Sequence, residues 1–304
     1  MSPKKVVDFA TPKIVHQTWK TEELPKAFEE NVERWKRLHP NYDFYFYSDD
    51  DIEKFIKKRF PQYYEAYSNF EHHIERVDFV RYAILYTYGG IYADMDTIPV
   101  KSFDSLIASR KIILSRESLE HVKIIHKGMK DLICNAIMVS PPGENFWIDF
   151  MEHIIDNYSK RKDPVYNTGP KALTDFYYSA KGREYTEHGE EVDGDVIVLS
   201  ACAFNPIVDK TRVDTKNKQS VVVNYPSTPY GNGGPETLTF DNISAECDLR
   251  SAYAVHLWSH TWSSMDLTGL KYVTRRLYNY IDSFFDIRFL IIAIILVALL
   301  VSLF

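Results

Sequence analysis

The chain is poor in cysteine. Only Cys134, Cys202 and Cys247 occur among its 304 residues. Three thiols so far apart exclude a dense disulfide framework and a cysteine-built metal cluster; one bridge is possible, and none is required. An excess of basic charge is also missing. Lys and Arg total 36 against 42 Asp and Glu, a net charge of −6, which argues against general nucleic-acid binding, since that leaves a basic footprint. The chain offers no Ser-His-Asp set, no glycine-rich phosphate loop, no internal repeat and no low-complexity tract. Its first eight residues, Met1 to Asp8, hold no apolar stretch of signal-peptide length. What is there is globular: 45% hydrophobic and 26% charged, with length for one large domain or two small ones.

One long apolar run does occur. Phe289 to Phe304 carries no charge and a single polar residue, Ser302. It is a little short of the roughly 20 residues of a full span, but with the segment from Ile281 a span is feasible. Before it, Leu270, Val273, Leu277, Ile281 and Phe284 recur at helical spacing beside Lys271, Arg275 and Arg276, the pattern of a helix lying on a membrane surface; a helix packed on the body fits the same spacing. The expected organisation is a body over residues 1–265, an amphipathic juxtamembrane helix over 266–287 and a single membrane anchor over 288–304. The basic residues flanking the tail point to a cytosolic body. The sequons at Asn157 and Asn242 matter only for a body facing a secretory lumen.

Along the body the pattern is that of an α/β fold. Lys13 to Trp19 reads as a buried strand running into a loop. A helix follows from Leu24-Pro25 with Phe28, Val32, Trp35 and Leu38 on one face, then a strand over Tyr42 to Tyr47. Ser48 or Asp49 is placed to cap the next helix, which carries Ile52, Phe55 and Ile56. Ile74 to Tyr88 is a strong helix ended by Gly89-Gly90. Ile91 to Ala93 is then a short strand whose carboxyl end delivers Asp94-Met95-Asp96. Further strands are expected at Lys111 to Leu114, Ile133 to Val139 and Val196 to Leu199, and a helix at Phe146 to Ile155. Asp209 to Glu246, rich in Pro, Gly and Asn, reads as a long loop or an elaboration.

Asp94 and Asp96 carry the chemistry. Carboxylate oxygens are hard ligands suited to Mg²⁺ or Mn²⁺, and ligands of open α/β sheets bind outside the carboxyl ends of strands. A divalent cation at this position would grip a diphosphate, so the pair points to a nucleotide-activated donor. Asp78 and Arg81, three residues apart, share one face of the helix that leads to it.

Arg76-Val77-Asp78-Phe79-Val80-Arg81-Tyr82 followed by Gly89-Gly90-Ile91-Tyr92-Ala93-Asp94-Met95-Asp96 resembles the signature of the DXD-containing glycosyltransferases. That family includes fungal inositol-phosphoceramide mannosyltransferases and N-glycan outer-chain alpha-1,6-mannosyltransferases, and its core is shared with the large clostridial glucosylating toxins. Ile14 to Lys20, Asn135 to Met138, Thr168-Gly169-Pro170 and Ala254 to Trp262 resemble its other elements, so the likeness runs from Ile14 to Trp262. It implies a GT-A type Rossmann-like mixed sheet flanked by helices, and a retaining transfer that needs Mn²⁺ or Mg²⁺. It further implies metal binding by Asp94, Asp96 and His256, and donor contacts from Trp19 (stacked on the base), Asp78, Arg81, Tyr92, Asp94, Asn135 and Trp262. Asp78, Arg81, Asp94 and Asp96 are the residues on which catalysis would rest. Asn135 is equally readable as a capped loop residue. His260 departs from the family, which commonly has a small residue there. GDP-mannose is the favoured donor and a membrane lipid such as inositol-phosphoceramide the favoured acceptor, in the secretory pathway. A UDP-sugar with a glycan or protein acceptor, or a transferase-like domain that only binds a glycan, are the other readings.

Overall fold

The computed structural model describes residues 10–125, 129–180, 190–211, 215–228 and 232–259. Eleven strands appear among them: β1 (Ile14–Thr18), β2 (Asp43–Tyr47), β3 (Gly90–Ala93), β4 (Thr97–Pro99), β5 (Ile112–Arg116), β6 (Ile133–Ser140), β7 (Glu191–Asp193), β8 (Val196–Leu199), β9 (Gln219–Tyr225), β10 (Gly234–Phe240) and β11 (Ala254–His256). Seven form one sheet in the order β2-β1-β3-β6-β5-β8-β7. β1 is parallel to both β2 and β3, and β5 is parallel to β8; β6 runs antiparallel between β3 and β5, as β7 does beside β8. The expected mixed α/β sheet is therefore present. β3, β5 and β6 are buried along their whole length. Ile112 to Leu114 and Ala136 to Val139 are unbroken apolar stretches within them, because both faces of the sheet are covered.

Helices cover that sheet where the periodicity put them, at Glu29–Leu38, Asp49–Arg59, His73–Tyr88 and Asn145–Asn157. Ser48 is the residue that caps Asp49–Arg59: its side chain accepts from the Asp51 amide, and the Asp51 carboxylate returns to the Ser48 amide. In His73–Tyr88, every residue from Asp78 to Leu85 is buried. The one apolar face expected from the sequence is thus a helix enclosed on all sides for two turns, sandwiched against the sheet and Asn145–Asn157. Asp78 and Arg81 are carried inside with it. The helix stops at Gly89, whose amide bonds the Leu85 carbonyl at 2.9 Å. Gly89 and Gly90 have φ of +64° and +94°, and a Cβ on Gly90 would stand 2.7 Å from the Ile14 carbonyl oxygen. Only glycine lets β3 start this close to β1.

Residues 209–246, read as a loop or an elaboration, contain the antiparallel hairpin β9–β10. Its inward residues Val223, Tyr225, Leu238 and Phe240 pack with Ile98, Ile207 and Val255, so the segment is a second small layer rather than a loop. A disulfide joins Cys202 and Cys247, and Cys134 is a buried free thiol. Asn242 is buried, its side-chain amide donating to the Val208 carbonyl. The folded body therefore offers Asn157, which is exposed, and not Asn242, as a glycan acceptor. Among the described residues no helix is long and apolar enough to cross a membrane. The amphipathic helix and anchor expected over 266–287 and 288–304, together with His260 and Trp262, lie outside the described residues.

Candidate metal and donor site

β3 ends at the middle of the sheet, where the chain has crossed to opposite sides of β1, the position at which α/β sheets open a crevice. Asp94 leaves it with its amide bonded to the Ala136 carbonyl at 2.8 Å and its own carbonyl accepting from the Thr97 hydroxyl at 2.6 Å. The turn sends the chain into β4, which pairs antiparallel with β11 so that Thr97 faces His256. Leu257 N then donates to the Asp96 carbonyl at 2.9 Å. Backbone pairing between distant segments thus brings His256 to the Asp pair. Ligand atoms of Asp94, Asp96 and His256 lie within 4.8 Å of one another.

The charges are arranged with care. Burial tends to raise Asp96, but the His256 charge and hydrogen bonds from His256 and the Ser259 amide (2.8 Å) override it and hold the carboxyl down at about 2. Burial works against a charge on His256, and the Asp96 carboxylate, 3.4 Å from Nε2, outweighs it and keeps the imidazole protonated well above its usual range. Asp94 goes the other way: burial lifts it above the ordinary carboxylate range while Arg81 pulls it down. Two carboxylates and an imidazole are a donor set that Mn²⁺ or Mg²⁺ accepts, once the imidazole gives up its proton.

Behind the pair lies a polar floor. The Arg81 guanidinium donates to the Asn135 carbonyl at 2.8 Å, and it stands 3.1 Å from Asp78 Oδ1, 3.4 Å from Asp94 Oδ2 and 4.6 Å from the centre of the Tyr92 ring. Asp78 accepts from the Asn135 amide at Oδ1 and from the Thr168 hydroxyl at Oδ2, both at 2.9 Å. Burial pushes Asp78 up to about 6 against the pull of Arg81. The Tyr92 hydroxyl donates to Asp94 Oδ1 at 2.9 Å and also meets the Thr18 hydroxyl. Asp78, Arg81 and Tyr92 are all buried and in this arrangement act on Asp94 from beneath. Asn135 sits on β6, which removes its reading as a loop residue, and its amide also reaches the Tyr82 hydroxyl at 2.8 Å. Trp19 lies just past β1, half-buried, edge-on to Phe28 with ring centres 5.4 Å apart and packed in the cluster that holds Met95.

Sequence reasoning missed one further element. Trp258 is wedged between two imidazoles, His256 and His121, each with its ring centre 4.2 Å away. His121 is fixed by a buried contact of 2.6 Å with Glu117, and Trp258 Nε1 donates to the Ile207 carbonyl at 2.8 Å. Trp258 has φ of +55°, a strained value for so large a residue that the surrounding contacts must hold. The signal was within reach: Trp258 stands two residues after His256 in the same motif that drew attention to Trp262.

Known proteins resemble the stretch of chain that carries the Asp pair. The family model described as the glycosyltransferase sugar-binding region containing DXD motif matches residues 25–113. Mannosyl phosphorylinositol ceramide synthase SUR1 of Saccharomyces cerevisiae is 39% identical over 193 residues, 64% of this chain and 47% of that protein. Inositol phosphoceramide mannosyltransferase 3 of Schizosaccharomyces pombe is 41% identical over 98 residues, 32% of this chain and 28% of that protein. The initiation-specific alpha-1,6-mannosyltransferase of Candida albicans is 31% identical over 114 residues, 35% of this chain and 30% of that protein. The matches span less than half the length of each of these relatives. The stretch that matches this family model, residues 25–113, includes Asp94-Met95-Asp96.

Proposed function

We propose that the chain is a metal-dependent, retaining glycosyltransferase that moves mannose from GDP-mannose to the headgroup of a membrane lipid. The observation that carries this is the convergence of Asp94, Asp96 and His256 within 4.8 Å at the end of β3, inside or paired to the region that matches the family. The printed names of the relatives support mannose and an inositol-phosphate lipid. A bound Mn²⁺ or Mg²⁺ would supply charge neutralisation to the departing nucleoside diphosphate.

The chain's own residues do the rest. Asp94, Asp96 and His256 would hold the cation, and Tyr92 and Arg81 fix the Asp94 carboxylate in one orientation. Arg81 also balances the surplus of negative charge that Asp78, Asp94 and Asp96 create, so the pocket does not repel a diphosphate. Trp19 is placed to take the base against its exposed part, and Asn135, Asp78 and Trp262 are assigned to the donor. No side chain is assigned as a catalytic base; in a front-side transfer the leaving phosphate takes the acceptor's proton.

The domain and membrane readings are kept: a catalytic body over 1–265, with 266–287 and 288–304 holding it at a membrane. The Cys202–Cys247 bridge supports a body in an oxidising compartment, since such bridges do not persist in the cytosol. That favours the secretory lumen over the cytosolic side suggested by the basic flank of the tail.

Incubation of the purified chain with Mn²⁺ and a panel of nucleotide sugars tests the reading. Metal-dependent release of GDP from GDP-mannose, abolished in Asp96→Ala, is the expected result. No turnover of any donor, with Asp96→Ala binding nucleotide as the unaltered chain does, would reject it.

A further inference from the structure

His256 lacks the support that an imidazole at a metal usually has. A metal-binding histidine nearly always gives its second ring nitrogen to a carboxylate, a carbonyl or a water, which fixes the ring. Nε2 of His256 faces Asp96 at 3.4 Å, but its Nδ1 is buried and makes no hydrogen bond of normal geometry. The Cys134 thiol acts on the ring, yet a thiol bonds only weakly. What lies against the ring is Trp258, with ring centres 4.2 Å apart. The indole is pinned in turn. Its Nε1 donates to the Ile207 carbonyl, and His121 lies against it at the same separation of 4.2 Å. His121 is itself tied down: its Nδ1 is 2.6 Å from Glu117, its amide donates to the Ser118 hydroxyl, and the Glu117 amide bonds the Leu132 carbonyl just before β6. Glu117 and His121 are each 2% exposed. An apolar pair of similar size would fill the same space at lower cost. What this pair adds is direction, a bond that sets the plane of the His121 ring and so the seat of the indole.

We infer that Glu117 and His121 are positioning residues for the donor site, acting through Trp258 to hold the His256 imidazole in the orientation a metal ion requires. The inference rests on the metal reading proposed above. The line of contact runs from Leu132 through Glu117, His121 and Trp258 to His256, and ring packing takes the part that a hydrogen bond has at other metal sites. The backbone makes this line sensitive. Trp258 has φ of +55°, a conformation that a bulky residue keeps only while its surroundings hold it. The place of the indole therefore depends on the contacts with His256, His121 and the Ile207 carbonyl. Loosening the Glu117–His121 bond frees one side of the indole, and His256 moves with it. Metal sites tolerate only small displacements of their ligands, so affinity falls although no ligand has been changed. Glu117 and His121 lie outside the 25–113 stretch that the family model matches.

The test titrates Mn²⁺ alone against the full chain in detergent, with free Mn²⁺ read by electron paramagnetic resonance. The variants are Glu117→Leu and Trp258→Leu, with Glu117→Gln and Trp258→Phe as their conservative partners, and each leucine variant is also made in a His256→Ala background. Trp258 is half-buried, so its variants probe the same line of contact should Glu117→Leu fail to fold. Both leucine variants should weaken Mn²⁺ on the order of tenfold, and the conservative partners should recover most of that loss. In the His256→Ala background neither should cause further loss, because the effect passes through the missing ring. Equal losses with and without His256, or no loss in any variant, overturn the inference. A second measurement needs no metal. In the metal-free chain with isotope-labelled histidine, Glu117→Leu should shift the ring signals of His256 as well as those of His121; His256 signals that stay in place also overturn it. Absence of Mn²⁺ binding by the unaltered chain would reject the metal reading of the site, and the histidine signals would then decide the brace by themselves.

Discussion

Replacing Arg81 by Met asks how much of the site's order depends on one buried cation. Arg81 is 2% exposed and stands 3.1 Å from Asp78 and 3.4 Å from Asp94. At an effective dielectric of about 20, unit charges at these separations attract by roughly 5 kcal/mol each, most of it offset by the cost of taking the ions out of water. Removing one partner leaves that cost uncompensated, which in buried pairs amounts to about 3–5 kcal/mol. For a body of this size that is a fall in melting midpoint on the order of 10 °C. The pH dependence has a definite sign. Asp78 titrates at about 6 in the fold, above its ordinary 3.8, because burial outweighs Arg81. Its contribution is therefore favourable at low pH and is lost as pH rises through that value. Without Arg81 the folded value moves higher still, so the deficit of the variant is larger at pH 8 than at pH 5, where Asp78 is protonated in both. Asp78→Asn added to Arg81→Met should recover part of the loss. Thermal unfolding of the single and double variants at the two pH values is the assay. A midpoint within about 2 °C of the unaltered chain, or a deficit equal at both pH values with no recovery in the double variant, would refute the reasoning.

Other perturbations follow from the same geometry. His256→Ala should weaken Mn²⁺-supported GDP binding by at least tenfold in calorimetry; in the unaltered chain that binding should strengthen from pH 6 to pH 8, because the cation must displace the proton that Asp96 holds on His256. Cys202→Ser opens a loop of sequence separation 45 and should cost about 4 kcal/mol on the chain-entropy scale, read as a lowered midpoint; peptide mapping without reductant should recover Cys202 linked to Cys247 and Cys134 unmodified until the chain is unfolded. Gly90→Ala, which drives a Cβ to 2.7 Å from the Ile14 carbonyl, should lower the midpoint by more than 5 °C, while alanine at the exposed Lys36 should leave it unchanged.

Much of this was legible in the sequence because the central strands and long helices carry their own periodicity. Val80, Ile84 and Leu85 marked the helix that leads to the Asp pair, and Ser48 marked a cap, since both signals are local. β4 and β11 were not legible: three residues give no period, and what creates them is the pairing of Thr97–Pro99 with the distant Ala254–His256. The hairpin was hidden for another reason. Val221, Val223 and Tyr225 alternate with exposed Ser220, Val222 and Asn224, but the Pro, Gly and Asn around them read as loop. The grouping of Asp94, Asp96 and His256 was expected from the resemblance, yet Thr18, which meets Tyr92, Thr168, which bonds Asp78, and Trp258, which packs on His256, have ordinary local sequence. Asp78 and Arg81 were expected to share a face, and they do; that the face is buried depends on how deeply the whole helix is enclosed.

The pairing of β4 with β11 bears on how this chain can be taken apart. The stretch that carries the family signature, residues 25–113, is a signature and not a portable module. It holds β3 and only the first two residues of β5, and it lacks β6, the strand between them, and β1, on which Gly90 closes. It also lacks His256, the third member of the Asp94-Asp96-His256 group. Grafted alone into another scaffold it would bring two aspartates with no strand to brace them and no imidazole to complete them. The part that the family model matches is a fraction of what the fold pairs together, and moving it elsewhere would have to carry the last strand along with the first.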